Sequence, residues 1–349
     1  MTAASKKART ILITGGAGFI GSNLVEYMFD RYPDHRLLVL DALTYAGKLD
    51  SLPERIKGSS RFEFWHGNVC NPELVNALVA QATVVFHLAA ESHVARSVYD
   101  NRVFFETDVL GTQTVVNAVL KQYRSVERLI HVSSSEVYGT ALDVPMTEEH
   151  PLNPTTPYAS AKAGADRLVY SYVVTYDIPA VIIRPFNNYG PRQHLEKVVP
   201  RFITRALRDE QLTIHGTGSS TRDWLFVEDC CKALDAAMHA DLTRVKGQAI
   251  NAGTGQQLEI LTVAHRVLGA LGKPETLLRF SAERPGQVAR HCGSTEQASK
   301  LLGWKAETSF DAGLQRTIEW YAGHRDWWKE QVWMETVQIR TKTGDIEYH

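Results

Sequence analysis

The sequence predicts an α/β protein: a doubly wound parallel sheet, with a smaller mixed α/β substrate-binding lobe toward the C-terminus. Three observations predict it. Short apolar runs alternate with helical segments through the first half of the chain. A glycine-rich turn directly follows the first of those runs, and the rhythm changes near Gly190-Pro191.

In chain order, the runs predict strands at 10–14, 36–41, 62–66, 83–88, 127–132 and 180–184, with helices at 19–31, 72–80, 101–122 and 158–176. Beyond residue 190, helical stretches at 198–209, 227–240, 258–272, 295–302 and 310–323 alternate with loops holding Gly216, Gly218, Gly253, Gly255, Pro285 and Gly286. The expected division is 1–190 and 191–349, with some exchange of segments between the lobes. Trp320, Tyr321, Trp327, Trp328 and Trp333 are expected to pack a terminal helix onto the body.

Composition narrows the function classes. With 349 residues, 44% hydrophobic and 22% charged, the chain suits an ordinary soluble enzyme of one large or two modest domains. A net charge of −1 and no long basic block argue against nucleic acid. Cys70, Cys230, Cys231 and Cys292 show no paired metal spacing, so no metal and a reduced compartment are expected. No eighteen-residue apolar stretch occurs, and Met1 to Arg9 is polar, so neither a membrane span nor a signal peptide is expected. A cytoplasmic location follows as the expectation.

The chemistry begins at Thr14-Gly15-Gly16-Ala17-Gly18-Phe19-Ile20-Gly21, after Ile11-Leu12-Ile13. Gly15 permits a tight turn, Gly18 close approach of backbone to a pyrophosphate, and Gly21 close helix–strand packing. The following helix start offers free N–H groups to phosphate. Asp41 ends the second apolar run, and a carboxylate there suits adenosine ribose hydroxyls and repels a 2′-phosphate, favouring NAD over NADP. This is a Rossmann-type pattern. The bland alternative is a structural glycine turn beside a surface aspartate.

Tyr158 and Lys162 stand four residues apart, on one helix face. An ammonium beside a phenol can lower its pKa and let tyrosine serve as a base. Alone, the spacing also occurs on solvated helix faces. Ser133-Ser134-Ser135-Glu136 follows a predicted strand, where a hydroxyl could orient a substrate hydroxyl for Tyr158; in isolation it reads equally as a helix cap.

These residues resemble the extended short-chain dehydrogenase/reductase superfamily over nearly the whole chain. Within it, the nearest pattern is that of the dTDP-glucose 4,6-dehydratases. It is carried by Thr14 to Gly21, Asp41 to Gly47, His87 to Val94, Asn187-Asn188-Tyr189-Gly190-Pro191, Arg222-Asp223-Trp224 and Arg284-Pro285-Gly286. The resemblance implies that Gly15, Gly18, Phe19, Ile20, Gly21, Asp41, Asn68, Val69, Leu88, Ala89 and Ala90, with Tyr158 and Lys162, hold NAD. It assigns the nucleotide-sugar substrate to Ser92, His93, Asn187, Asn188, Arg192, Arg222 and Arg284. Ser134, Ser135, Glu136, Tyr158 and Lys162 are the expected catalytic group. A homodimer is also implied, packed through the helices near 101–122 and 158–176, whose apolar faces carry Val103, Phe104, Val115, Val119, Leu168, Val169 and Tyr172.

Some positions depart from that pattern. The family carries Asp-Glu before Val-Tyr-Gly; this chain has Ser135-Glu136. Asn68 stands where the family usually has Asp, and Asp108 where it usually has Asn. Gln287-Val288-Ala289-Arg290 lacks charge that dehydratases place after Arg-Pro-Gly. In a 4,6-dehydratase, C4 oxidation makes the C5 proton acidic, a carboxylate removes it, and a neighbouring acid protonates the departing C6 hydroxyl. A serine hydroxyl is a very poor proton donor beside a carboxylic acid. Either Glu136 makes both proton transfers, or C6 water loss is not the reaction. GDP-mannose 4,6-dehydratases and UDP-glucuronate decarboxylases also resemble the chain in having Ser-Glu there. The leading expectation is therefore an NAD-dependent nucleotide-sugar 4,6-dehydratase. Decarboxylation of a UDP-uronate, C4 epimerisation and a non-catalytic NAD-binding sensor or scaffold remain as alternatives.

Overall fold

A computed structural model describes residues 8–283 and 288–336 in full, and 338–340 and 346–348 as backbone. Its strands up to residue 281 are, in chain order, β1 (Thr10–Thr14), β2 (Arg36–Asp41), β3 (Phe62–His66), β4 (Val84–His87), β5 (Arg128–Val132), β6 (Ala180–Pro185), β7 (Asn187–Tyr189), β8 (Leu212–His215), β9 (Thr221–Phe226), β10 (Ala249–Ala252), β11 (Gln257–Glu259) and β12 (Leu278–Ser281), and a last antiparallel pair follows at Gln338–Arg340 and Ile346–Tyr348. Among the described residues, seven form one sheet in the order β10-β6-β5-β4-β1-β2-β3, every neighbouring pair parallel.

Unbroken apolar runs are what such strands require, because helices cover both faces. Along β1, Ile11 and Ile13 enter one core and Leu12 the other; in β2, Leu37 and Val39 oppose Leu38 and Leu40 in the same way. The first core is shared with the helices Phe19–Arg31 and Val227–His239, the second with Pro72–Val79, Thr112–Lys121 and Pro157–Tyr176. Local chemistry starts these helices where it should. Asn71 accepts from Glu73 and Leu74 N–H ahead of Pro72, and Thr156 accepts from Ala159 N–H ahead of Pro157.

Two departures from the expected elements bear on the site. The strand β10 joins the large sheet beside β6 although it lies beyond residue 190. Its sequence, Ala-Ile-Asn-Ala, is short and interrupted by Asn251, whose buried amide is satisfied by the Tyr138 hydroxyl (2.8 Å) and the Met146 carbonyl (3.0 Å). The helix expected over 101–122 is interrupted by a π-helical stretch, Phe105–Gly111. Such stretches frequently mark functional sites; this one carries the buried Asp108.

In the smaller lobe, β9 pairs parallel with β7 and antiparallel with β11, and β8 pairs with β12. The helices Val198–Leu207, Ile260–Leu271 and Phe310–Gly323 enclose its core through Phe202, Val263, Val267, Leu314 and Ile318. The aromatic tail packs as expected up to Trp328, whose indole N–H donates to the Tyr321 carbonyl at 2.8 Å; Trp333 is exposed. No helix among the described residues is long and apolar enough to cross a membrane.

The helices expected at a dimer face divide differently from the pattern. Phe104, Val115, Val119 and Val169 are buried in the core of the chain itself, whereas Tyr99, Val103, Phe105, Leu110, Tyr170 and Val174 are exposed. Periodicity alone does not separate those two faces.

Candidate active site

One cavity of ≈ 430 Å³ lies beyond the carboxyl ends of the strands, where the order reverses between β1 and β4. At one end is the glycine turn. Gly15 has φ 71°, and a Cβ there would sit 2.7 Å from the Ala89 nitrogen, so only glycine lets this turn close against the segment after β4. A Cβ on Gly21 would lie 2.0 Å from the Gly15 carbonyl oxygen. The helix that follows starts at Gly18 without a side-chain cap, leaving its first N–H groups for an anion. Asp41 is buried and accepts from Ala17 N–H (2.9 Å) and Leu43 N–H (2.8 Å). Burial raises its pKa, opposed by those N–H groups. A turn open to pyrophosphate beside a fixed carboxylate fits the two ends of an adenosine diphosphate moiety.

Beneath the turn, Thr14, His87 and Thr112 form a buried line: Thr14 Oγ1 to His87 Nδ1 is 2.8 Å, and His87 Nε2 to Thr112 Oγ1 is 2.9 Å. Burial, with the Lys162 charge, pushes His87 down to about 3, so it is neutral and structural. Thr112 donates to the Asp108 carbonyl at 2.5 Å. The Asp108 carboxylate accepts from Glu91 N–H at 2.8 Å, while its Oδ2 has no hydrogen-bond partner among the described residues. Burial pushes that carboxyl up to about 7 against the pull of Lys162.

The residues expected to be catalytic converge on the same wall. Ser134, two residues past β5 and extended, caps the short turn Ser135–Tyr138 by accepting from Glu136 N–H at 3.2 Å. Tyr158 hydrogen-bonds Ser134 from the first turn of its helix, with its ring edge-to-face against Phe104. Burial holds this phenol above its ordinary pKa; the Asp108, Glu136 and Glu196 charges add to the rise, and Ser134 opposes it. Lys162 donates to the Val132 carbonyl at 2.8 Å, and its charge also acts on Asp108, Asp166 and His87. One helical turn places the two side chains on one face, and both line the cavity, the ammonium held by the carbonyl at the end of β5.

Of the expected residues, Gly15, Gly18 to Gly21, Asp41, Asn68, Val69, Leu88 to Ala90, Ser92, His93, Ser134 to Glu136, Tyr158, Lys162, Asn187, Asn188 and Arg222 all line the cavity. Asn187 brings a buried amide oxygen without a partner among the described residues. Arg192 does not belong there. Its left-handed backbone (φ 70°) turns the guanidinium to the Ser22 carbonyl (3.2 Å) and to Glu26, bracing the helix Phe19–Arg31. Arg284 lies outside the described residues.

Sequence reasoning missed a further wall. Glu196 is fully enclosed, with His194 Nδ1 at 3.3 Å, His93 Nε2 at 3.5 Å and Lys197 Nζ at 3.2 Å, and it accepts from the Tyr45 hydroxyl at 3.2 Å. Burial opposes its charge, but Lys197 and the two histidines overcome this and hold the carboxyl far below its usual range. Its only signal was a charged run, Glu196-Lys197, just after Gly190-Pro191.

Comparison with known proteins agrees with this geometry. A family model described as GDP-mannose 4,6 dehydratase matches residues 12–317. The low-salt glycan biosynthesis protein Agl12 of Haloferax volcanii is 43% identical over 314 residues, 90% of this chain and 98% of that protein. The dTDP-glucose 4,6-dehydratase of an Actinoplanes species is 36% identical over 323 residues, 91% of this chain and 99% of its own. The solved dTDP-glucose 4,6-dehydratase of Streptomyces venezuelae, with NAD bound, superposes with a TM-score of 0.87 at 36% identity, covering 92% of this chain and 99% of that one. On a match spanning most of its length, the chain belongs to the GDP-mannose 4,6 dehydratase family, within the extended short-chain dehydrogenases/reductases.

Proposed function

We propose that the protein is an NAD-dependent nucleotide-sugar 4,6-dehydratase, converting an NDP-hexose to its 4-keto-6-deoxy derivative. The observation that carries the reading is the single cavity joining the Gly15–Gly21 turn and Asp41 to Ser134, Glu136, Tyr158 and Lys162. The similar dehydratases support it. When bound, NAD supplies a hydride acceptor for C4, a donor for C6 and a positive ring charge that favours tyrosinate.

The residues divide the remaining work. Ser134 orients the C4 hydroxyl, and Tyr158 takes its proton. Lys162, anchored on Val132, brings its ammonium to the cavity wall that also carries Tyr158. Glu136, half-buried on the cavity wall, takes the C5 proton once C4 is a ketone. Arg222, which lines the cavity, is the arginine suited to the diphosphate.

Ser135 favours one other reading, decarboxylation of a UDP-uronate, because loss of carbon dioxide needs no acid at C6. Incubating the protein with NDP-glucose, NDP-mannose and UDP-glucuronate, and weighing the products, decides between them. Loss of one water is expected. Loss of carbon dioxide, or an isomer of unchanged mass, would overturn the reading. The exposed Val103, Phe105, Leu110, Tyr170 and Val174 support a homodimer through these helices; the same preparation should sediment at twice the chain mass.

Asp41 gives a further expected result. Asp41→Asn should weaken NAD binding by about tenfold or more, as loss of a hydrogen bond to charge does. It should also narrow the preference over NADP, since the repulsion of a 2′-phosphate goes with the charge. Parallel titrations of both cofactors measure this, and an unchanged preference would remove Asp41 from the ribose.

A further inference from the structure

Elimination across C5 and C6 needs a proton for the departing C6 hydroxyl, and the place beside Glu136 holds a serine. Ser135 is buried, lines the cavity, and has one titratable partner of note: its Oγ lies 3.4 Å from Nδ1 of His291. His291 is fully buried, stacked at a tilt against Phe186 (5.3 Å), and its Nε2 has no hydrogen-bond partner among the described residues. The Gly139 carbonyl also lies against the ring, so the imidazole is held beside the serine rather than turned away from it.

We propose that Ser135 and His291 together form the acid for the leaving group, with Ser135 touching substrate and His291 supplying the proton through it. The inference rests on the dehydratase reading above. As the C6–O bond breaks, its electron pair leaves on oxygen. Ser135 gives that oxygen its hydroxyl proton, and the His291 imidazolium returns one from Nδ1 to Ser135, so the group departs as water. Glu136 keeps the C5 proton and gives it back to C5 when C6 receives hydride. The proton that Tyr158 takes from the C4 hydroxyl balances the one that His291 gives to the departing water, so a turnover consumes none.

The surroundings of His291 fit an acid charged only when substrate is present. Burial, Arg222 and His150 push its pKa down to about 4, while Glu136 and the Gly139 carbonyl work the other way. An imidazolium so depressed is about as strong an acid as a carboxylic acid near 4. A diphosphate on Arg222 offsets one of the opposing charges, and the free Nε2 accepts a proton without breaking a bond.

The test uses the whole enzyme with His291→Gln, Ser135→Asp and the double variant, on an NDP-hexose and its 6-deoxy-6-fluoro analogue, whose fluoride leaves unprotonated. Water loss by His291→Gln should fall about a hundredfold or more, the scale of general acid catalysis. Fluoride loss and reduced-nicotinamide absorbance on C4 oxidation should change by only a few fold. Ser135→Asp, which restores a carboxylic acid, should rescue water loss in the His291→Gln background. Equal slowing of water and fluoride, or no rescue, overturns the role of His291. Should His291→Gln melt early, the wild type gives an independent reading: its ratio of water to fluoride loss should fall as pH rises, and a flat ratio overturns the proposal. A wild type that releases neither would overturn the dehydratase reading itself, and this inference with it.

Discussion

Tyr158→Phe is expected to lower turnover about 10³-fold, within the ~10²–10⁴ range for a positioned acid–base group. The ring is retained and keeps its edge-to-face contact with Phe104, so only the hydroxyl and its bond to Ser134 are lost. Affinity for the nucleotide sugar should therefore move by no more than about threefold, because an interaction made only in the transition state lowers kcat and leaves ground-state binding. The pH dependence carries its own sign. Burial holds the phenol high, and its base form is the deprotonated one, so C4 oxidation by the wild type should climb with pH toward a plateau. The residual rate of the variant should lack that climb. Reduced-nicotinamide absorbance in single turnovers measures both. A variant that oxidises C4 at the wild-type rate would remove Tyr158 from the chemistry.

The second large effect is on stability. Asp166 lies one helical turn beyond Lys162 and is fully buried against Arg184, which grips it with two bonds of 2.8 and 2.9 Å. Arg184 also donates to the Tyr138 hydroxyl (2.8 Å), which in turn reaches Asn251 of β10. The pair thus ties the Tyr158 helix to β6, to the Ser135–Tyr138 turn and to the last strand of the sheet. Asp166→Ala would leave a guanidinium buried without its counter-charge, at a cost of about 3–5 kcal/mol. Urea unfolding should show it as a lower midpoint, and a loss under about 1 kcal/mol would mean that water reaches Arg184. Burial alone would raise the Asp166 pKa, but Arg184, with Arg167, holds it below its ordinary value. The contribution of the pair is therefore present above about pH 4, the unfolded value, and is lost as pH falls through the folded one. In the variant, that acid-side loss should be missing.

The central strands were legible because burial on two faces demands long apolar runs, and the glycine turn because steric demands at Gly15 and Gly21 leave no other residue. What escaped notice was of another kind. The strands of the smaller lobe are three to six residues long and mix polar with apolar positions, as β9 does with Arg222 and Asp223 inside it. Glu196 reads as a surface charge until the fold encloses its side chain. Arg192 sits beside Asn187-Asn188-Tyr189-Gly190-Pro191, yet its positive φ sends it the other way. His291 belongs to no motif; only the fold brings it 3.4 Å from a serine 156 positions earlier.

The late arrival of β10 governs how the chain can be made. Val181 and Ile183 of β6 share one core with Leu234, Met238, Ile250 and Ala252. A nascent chain released at residue 190 would show water a bare sheet edge and an oily flank that its own remaining length was meant to shield. The catalytic half is thus unfinished until synthesis has passed residue 252, where β10 closes the edge of β6.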